Sequence, residues 1–192
     1  MIRLSLALLL GSFCMFAADQ HLTEGAPASP VRVIIYEDLQ CPDCADFRVM
    51  LDSQLLPRYS STVRFEHHDF PLAKHAWARK AAIAARFFEE TKPGTGLAFR
   101  KYTLGHLSDI TADNFNDRLA AFAKQNGVDP AKALAALTDE RLAALVEKDY
   151  QEGLARGIAH TPTVLVNGIP FIETFRFEDV AKAIDGQLAV SK

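Results

Sequence analysis

Residues 31–36, Val-Arg-Val-Ile-Ile-Tyr, carry β-branched or aromatic side chains at nearly every position instead of alternating with polar ones. A strand of that kind must be covered on both faces by other elements. Cys41-Pro42-Asp43-Cys44 follows at once, and then Phe47, Met50, Leu51 and Leu55 recur at helical spacing. Proline suits the first helical position and interrupts a helix further in, so a helix is expected from Pro42 to a stop at Pro57. The segment TVRFEHHDF (62–70) reads as a second strand. A strand, helix, strand unit of this length is a right-handed parallel crossover.

Between Ala73 and Gly157 the pattern changes to helices joined by short loops. His75 is expected to open an Ala-rich helix (74–90) as a packing or capping residue, with Trp77, Phe87 and Phe88 as core. Phe99, Tyr102 and Leu107 mark a shorter segment. Thr111 is read as the cap of a helix whose apolar face is Phe115, Leu119 and Phe122. Asp129-Pro130 caps the next helix, and Leu142, Leu145, Val146 and Leu154 line one that ends at Gly157. Two short apolar strands then flank Asn167-Gly168, a strong hairpin signal, and a last helix carries Phe177, Val180, Ile184 and Leu188 on one face. The expected architecture is therefore α/β with an inserted all-helical subdomain.

Residues 1–18 read as a secretory signal peptide: Arg3 is the positive region, Leu4 to Phe16 the apolar run, and Ala17 and Ala18 the small-residue cleavage site. A periplasmic or secreted location follows from that reading. Residues 19–30 are polar and contain proline, and are expected to be a linker. A net charge of -3 and the absence of a long basic run argue against nucleic-acid partners. About half the residues are hydrophobic, so a chain of 192 residues can bury a core without a metal or a disulfide to hold it.

Removal of the leader takes Cys14 with it and leaves Cys41 and Cys44, too close together to brace the fold, since closing so short a loop removes little chain entropy. A zinc site would need two more ligands, and His67 and His68, adjacent on a strand, point to opposite faces. Redox exchange remains, and no metal or cofactor is expected. Unpaired N–H groups and the helix dipole stabilise a thiolate at Cys41, the exposed attacking sulfur, whereas Cys44, one turn further in, is placed to resolve a mixed disulfide.

The chain resembles the DsbA-like branch of the thioredoxin superfamily. The resemblance rests on Cys-Pro-x-Cys after the first strand, on DFPLAKHA (69–76) leading into the helices, and on Thr161-Pro162 before the third strand. It implies a thioredoxin-like unit at 31–72 and 158–192 with the helical insertion at 73–157. It also implies a cis Pro162 beside the cysteines, with the Thr161 backbone offered to an extended substrate. The activity implied is extracytoplasmic thiol–disulfide exchange, with oxidation of folding proteins foremost. A reductase or isomerase, or a binding or chaperone module without turnover, are the alternatives. Cysteine-containing protein substrates, a membrane redox partner for recycling and a monomeric state belong to the same expectation.

Two positions depart from that family's pattern. Ile35 stands where many relatives have a buried acid, which leaves Glu37 and Asp38 as nominees for the role. Asp43 stands between the cysteines, where strongly oxidising relatives often have histidine; its charge tunes the redox poise without deciding direction. His160, two residues before Pro162, is either a modulator of the Cys41 thiolate or a solvent-facing loop residue.

Overall fold

The computed structural model describes residues 21–191, so the expected signal peptide lies outside the described residues. A five-stranded sheet runs in the order β1-β3-β2-β4-β5, with β1 at Leu22–Gly25, β2 at Arg32–Glu37, β3 at Arg64–Asp69, β4 at Thr163–Val166 and β5 at Ile169–Ile172. β2 and β3 are parallel, and the other neighbours are antiparallel. The hairpin joining β4 to β5 turns at Asn167 and Gly168, whose φ angles of 44° and 91° are the pair that a two-residue turn with right-handed twist requires.

β2 is covered on both faces, as its composition requires. Val33 and Ile35 pack with Phe47, Leu51, Val164, Val180 and Ile184, under α1 (Pro42–Met50) and α8 (Phe177–Val190). Ile34 and Tyr36 face the other way, toward Phe70, Tyr150 and Ile158. There α7 (Glu140–Ala155) comes so close that a Cβ on Gly153 would meet the Phe70 ring at 2.6 Å and Tyr36 at 3.2 Å.

The helical residues between β3 and β4 form α3 (Ala78–Thr91), α4 (Thr95–Gly105), α5 (Phe115–Gln125), α6 (Pro130–Ala135) and α7. Asp129 and Asp139 cap α6 and α7 by accepting from backbone N–H groups. Trp77, Phe88, Phe99, Phe115 and Phe122 build one apolar cluster, and that cluster also takes in Cys41 and Cys44. The insertion and the cysteine helix therefore share a core.

Four local expectations need correction. The stretch read as a linker contains β1, which pairs with β3 as an edge strand; four residues are too few for a periodicity signal, and the pairing is long-range. Pro57 does not stop the helix. A π-helical turn at Leu51–Leu55 precedes it, and the chain continues through α2 (Leu56–Tyr59), because the wider turn accommodates a residue that cannot donate. The Ala-rich helix begins at Ala78, not at His75, because Trp77 N–H donates to the Gln40 side chain at 2.8 Å and His75 is held by Asp38. Thr111 does not cap α5 directly: its hydroxyl accepts from Asn114 N–H in a turn one residue before the helix.

Replacing Gly153 with alanine forces α7 away from the sheet. The expected cost is about 1–3 kcal/mol, read as a lower urea midpoint with an unchanged denaturant slope.

Candidate functional site: a dithiol over a buried ion network

Cys41 is the residue that caps α1, in extended backbone (φ −86°, ψ 126°), and Pro42 occupies the first helical position. Its N–H donates to Asp38 O at 3.1 Å, and its own carbonyl accepts from Ala45 N–H at 3.1 Å. The Cys41 thiol donates to the Thr161 carbonyl at 3.3 Å, immediately before the cis Thr161–Pro162 bond. Both cysteines are free thiols. Cys41 is only 5% exposed, so the expectation of an exposed sulfur is corrected: it sits in the floor of a cavity of about 350 Å³ that also touches Asp43, Leu72, Lys74, His160 and Glu173.

The two sulfurs are electrostatically unlike. The Cys44 thiol, hydrogen-bonded to Cys41, is the main influence pulling the Cys41 thiol down to about 6, against burial; Thr161 and the N–H groups of Asp43 and Cys44 add to it. The helix N-terminus thus contributes, but less than the neighbouring thiol. The Thr161 hydroxyl is buried without a hydrogen-bond partner in the dithiol form, so it is available to donate to Cys41 once that sulfur ionises. Cys44 is fully buried, and burial, followed by the Cys41 sulfur and the Glu37 charge, pushes its thiol well up. Its sulfur accepts from Asp38 N–H at 3.4 Å.

The two nominated acids do different things. Asp38 shapes the loop: one carboxylate oxygen accepts from Gln40 N–H at 2.7 Å, the other from Leu72 N–H at 2.7 Å and from His75 Nδ1 at 2.8 Å. Glu37 belongs to an ion network. Its carboxylate lies 2.6 Å from His67 Nδ1 and accepts from Arg100 Nε at 2.9 Å. His67 Nε2 reaches Glu24 at 3.0 Å, and Glu24 accepts from Arg48 at 2.6 Å. With a carboxylate at each ring nitrogen, His67 donates from both and is an imidazolium; burial opposes that charge, but Glu37 and Glu24 raise its pKa. Arg100 also donates to Asp69 at 2.6 Å, and Arg86 bridges Asp69 to Asp149 at 2.6 and 2.5 Å. Burial works against a charged Glu37, yet Arg100 and His67 hold its carboxyl down at about 2. A carboxylate so strongly held is a poor proton acceptor and acts on Cys44 through its charge.

Asp43 is exposed on the first turn of α1. His160 pairs with Glu173 at 2.9 Å and is 58% exposed at its side chain, so its partner is a carboxylate and not the Cys41 sulfur. Glu173, Lys74 and Leu72 escaped the sequence reading. Glu173 has a left-handed φ of 55° and its N–H donates to Pro162 O at 2.8 Å, a placement that no local sequence signal announces.

A family model described as Thioredoxin matches residues 17–186. The chain belongs to the thioredoxin family. Among curated proteins, this thioredoxin-family chain is 26% identical over 175 residues to the Na(+)/H(+) antiporter NhaA 3 of Salinispora tropica, covering 91% of this chain and 26% of that one. The chain spans about a quarter of the length of the curated relatives it matches. Among solved structures, oxidised BdbD from Bacillus subtilis superposes with a TM-score of 0.79 at 22% identity, covering 88% of this chain and 94% of that one. Wolbachia pipientis alpha-DsbA1 gives 0.78 at 17% identity, covering 89% and 92%. The fold is the DsbA-like form of the thioredoxin fold, with its helical insertion.

Three measurements check this electrostatic description. Alkylation of Cys41 as a function of pH is expected to show a midpoint near 6, with Cys44 protected in the folded state. Glu37 and Asp69 both have folded values depressed to about 2, from 4.5 and 3.8. Their contribution to stability is present above the unfolded values and is lost as pH falls toward 2, so acid denaturation is expected in that window. Arg100→Met takes one cationic partner from each of those buried carboxylates and leaves Glu37 to His67 and Asp69 to Arg86, at an expected cost of about 3 kcal/mol in urea unfolding, the low end for a broken buried pair.

Proposed function

We propose that this chain is an extracytoplasmic protein thiol–disulfide oxidoreductase that donates a Cys41–Cys44 disulfide to cysteine-containing proteins. The observation that carries the reading is the asymmetry of the pair: one sulfur with its thiol drawn down to about 6 in the floor of a cavity, the other sealed and pushed up. A substrate thiolate attacks Cys41 Sγ, the Cys41–Cys44 bond breaks, and Cys44 leaves and takes a proton. The second substrate thiolate then attacks the substrate sulfur of the mixed disulfide, and Cys41 departs as thiolate. A thiol of low pKa is the better leaving group, so the second step is fast and the dithiol product is stabilised. The substrate is oxidised by two electrons and the protein is reduced by two.

Substrate contact is assigned to Thr161 and Pro162, whose backbone lies beside Cys41, with Pro42 setting the helix start and Asp43 tuning the sulfur. His160 takes the minor role of a cavity-wall residue paired with Glu173. Glu37 sets the charge around Cys44, and Asp38 holds the loop. Reoxidation falls to a membrane redox partner, and the chain works as a monomer. The leader-like N-terminus supports an extracytoplasmic location. Among the described residues no helix is long and apolar enough to cross a membrane.

Asp43 disfavours the Cys41 thiolate. At roughly 7 Å and an effective dielectric of about 40 the repulsion is ~1 kcal/mol, or about 20 mV for a two-electron couple. Asp43→His removes it and is expected to raise the reduction potential by at least that amount in glutathione equilibration; an unchanged or lower value sinks the assignment. Turnover of a dithiol peptide is expected to vanish in Cys41→Ser, while the lone Cys41 thiolate of Cys44→Ser, offered the disulfide form of that peptide, is expected to attack it, expel one peptide thiolate and form a mixed disulfide visible by mass spectrometry. Client binding without any turnover by the unaltered protein would make it a binding module, and a reduced steady state in cells would make it a reductase or isomerase.

A further inference from the structure

Away from the cysteines, the antiparallel register of β1 on β3 pairs Leu22 with His67, so His21, one step further out, stands opposite His68. Their rings stack with centroids 3.7 Å apart and planes 15° from parallel. Asp149 and Glu152, one turn apart on α7, come up beside them. One ligand atom from each of His21, His68, Asp149 and Glu152 lies within 4.8 Å of all the others.

Two buried polar groups at this cluster lack a partner at hydrogen-bond distance. His68 is 4% exposed, and neither ring nitrogen has a hydrogen-bond partner; Glu66 approaches Nε2 only to 3.8 Å. Tyr36, whose ring centroid is 4.8 Å from that of His68, is fully buried, and its hydroxyl has no hydrogen-bond partner. Leaving a buried polar group unsatisfied is costly, so the His68 ring, without a hydrogen bond among four convergent ligand atoms, points to a missing occupant.

We propose that His21, His68, Asp149 and Glu152 form a binding site for one divalent transition-metal ion of the zinc class. Two imidazoles with carboxylates suit that class, whereas calcium and magnesium prefer all-oxygen sites. Tetrahedral coordination at ~2.0 Å places ligand atoms about 3.3 Å apart, so the widest pair, now within 4.8 Å, closes by up to about 1.5 Å. A metal lies in the plane of each imidazole that binds it, and parallel stacked rings do not allow that. His21 therefore turns out of the stack, and its 16% exposed side chain at the outer end of β1 is the ligand with room to do so. Asp149 already offers one oxygen to His21 at 3.0 Å and is fixed through the other by Arg86 and by Asp69 N–H. The ion would fasten the start of β1 and the strand β3 to α7, a clamp between sheet and insertion.

The test uses the disulfide form of the mature chain, whose sulfurs cannot ligate, and a Cys41→Ser/Cys44→Ser double variant. Calorimetric titration with Zn2+ is expected to show one ion per chain in both, and Co2+ to give visible bands of a site with nitrogen and oxygen donors only. His21→Gln and Glu152→Gln, which alter two partly exposed ligands, are each expected to weaken binding by at least about tenfold while circular dichroism stays unchanged. Absence of binding, binding confined to the reduced protein, equal affinity in both variants, or a response to Ca2+ with none to Zn2+ would each overturn the assignment.

Discussion

The interaction on which the rest depends is the pair of hydrogen bonds that Arg100 makes inside the protein, to Glu37 at the end of β2 and to Asp69 at the end of β3. Arg100 comes from the insertion and both carboxylates come from the sheet, so one guanidinium locks the two parts together at the end of the strands where the cysteine helix begins. Taking such groups out of water is costly, and the structure offsets the cost by alternation. Glu24, Glu37, Asp69 and Asp149 are interleaved with Arg48, His67, Arg100 and Arg86. No charge in that chain faces a like neighbour without an opposite one between them. An ionic lattice of this kind tolerates little displacement, which suits a scaffold that must hold two sulfurs in register.

On that base the difference between the sulfurs follows from position alone. Cys41, the last residue before the helix, has the Cys44 thiol and then backbone donors ahead of it, whereas Cys44 is sealed from solvent with Glu37 as a fixed negative neighbour. Neither residue is unusual in itself. Asp38 ties the two sides of the site together, since its backbone N–H binds the Cys44 sulfur while its side chain gathers Leu72 and His75 from the far side of β3.

What the residues made legible was local. The doubly covered β2, the proline-started α1, the Asn167-Gly168 turn and the Asp129 cap of α6 each depend on side chains within a few positions. What stayed hidden was set by distant partners. β1 is a strand because β3 lies beside it, and His75 is pulled from its helix by Asp38. Glu37 could be nominated as an acid, but its bond to Arg100 spans 63 positions. The pairing of His21 with His68 belongs to the same class, since it arises from strand register and not from spacing along the chain.

The chain holds a single tryptophan, and Trp77 is 2% exposed within the apolar cluster that also contains both sulfurs. An indole so placed is screened from solvent and from external quenchers, so changes in its emission originate inside that cluster. Making or breaking the sulfur–sulfur bond is the chemical event that can occur there. On the proposed function, Trp77 would serve as an internal optical reporter of oxidation state.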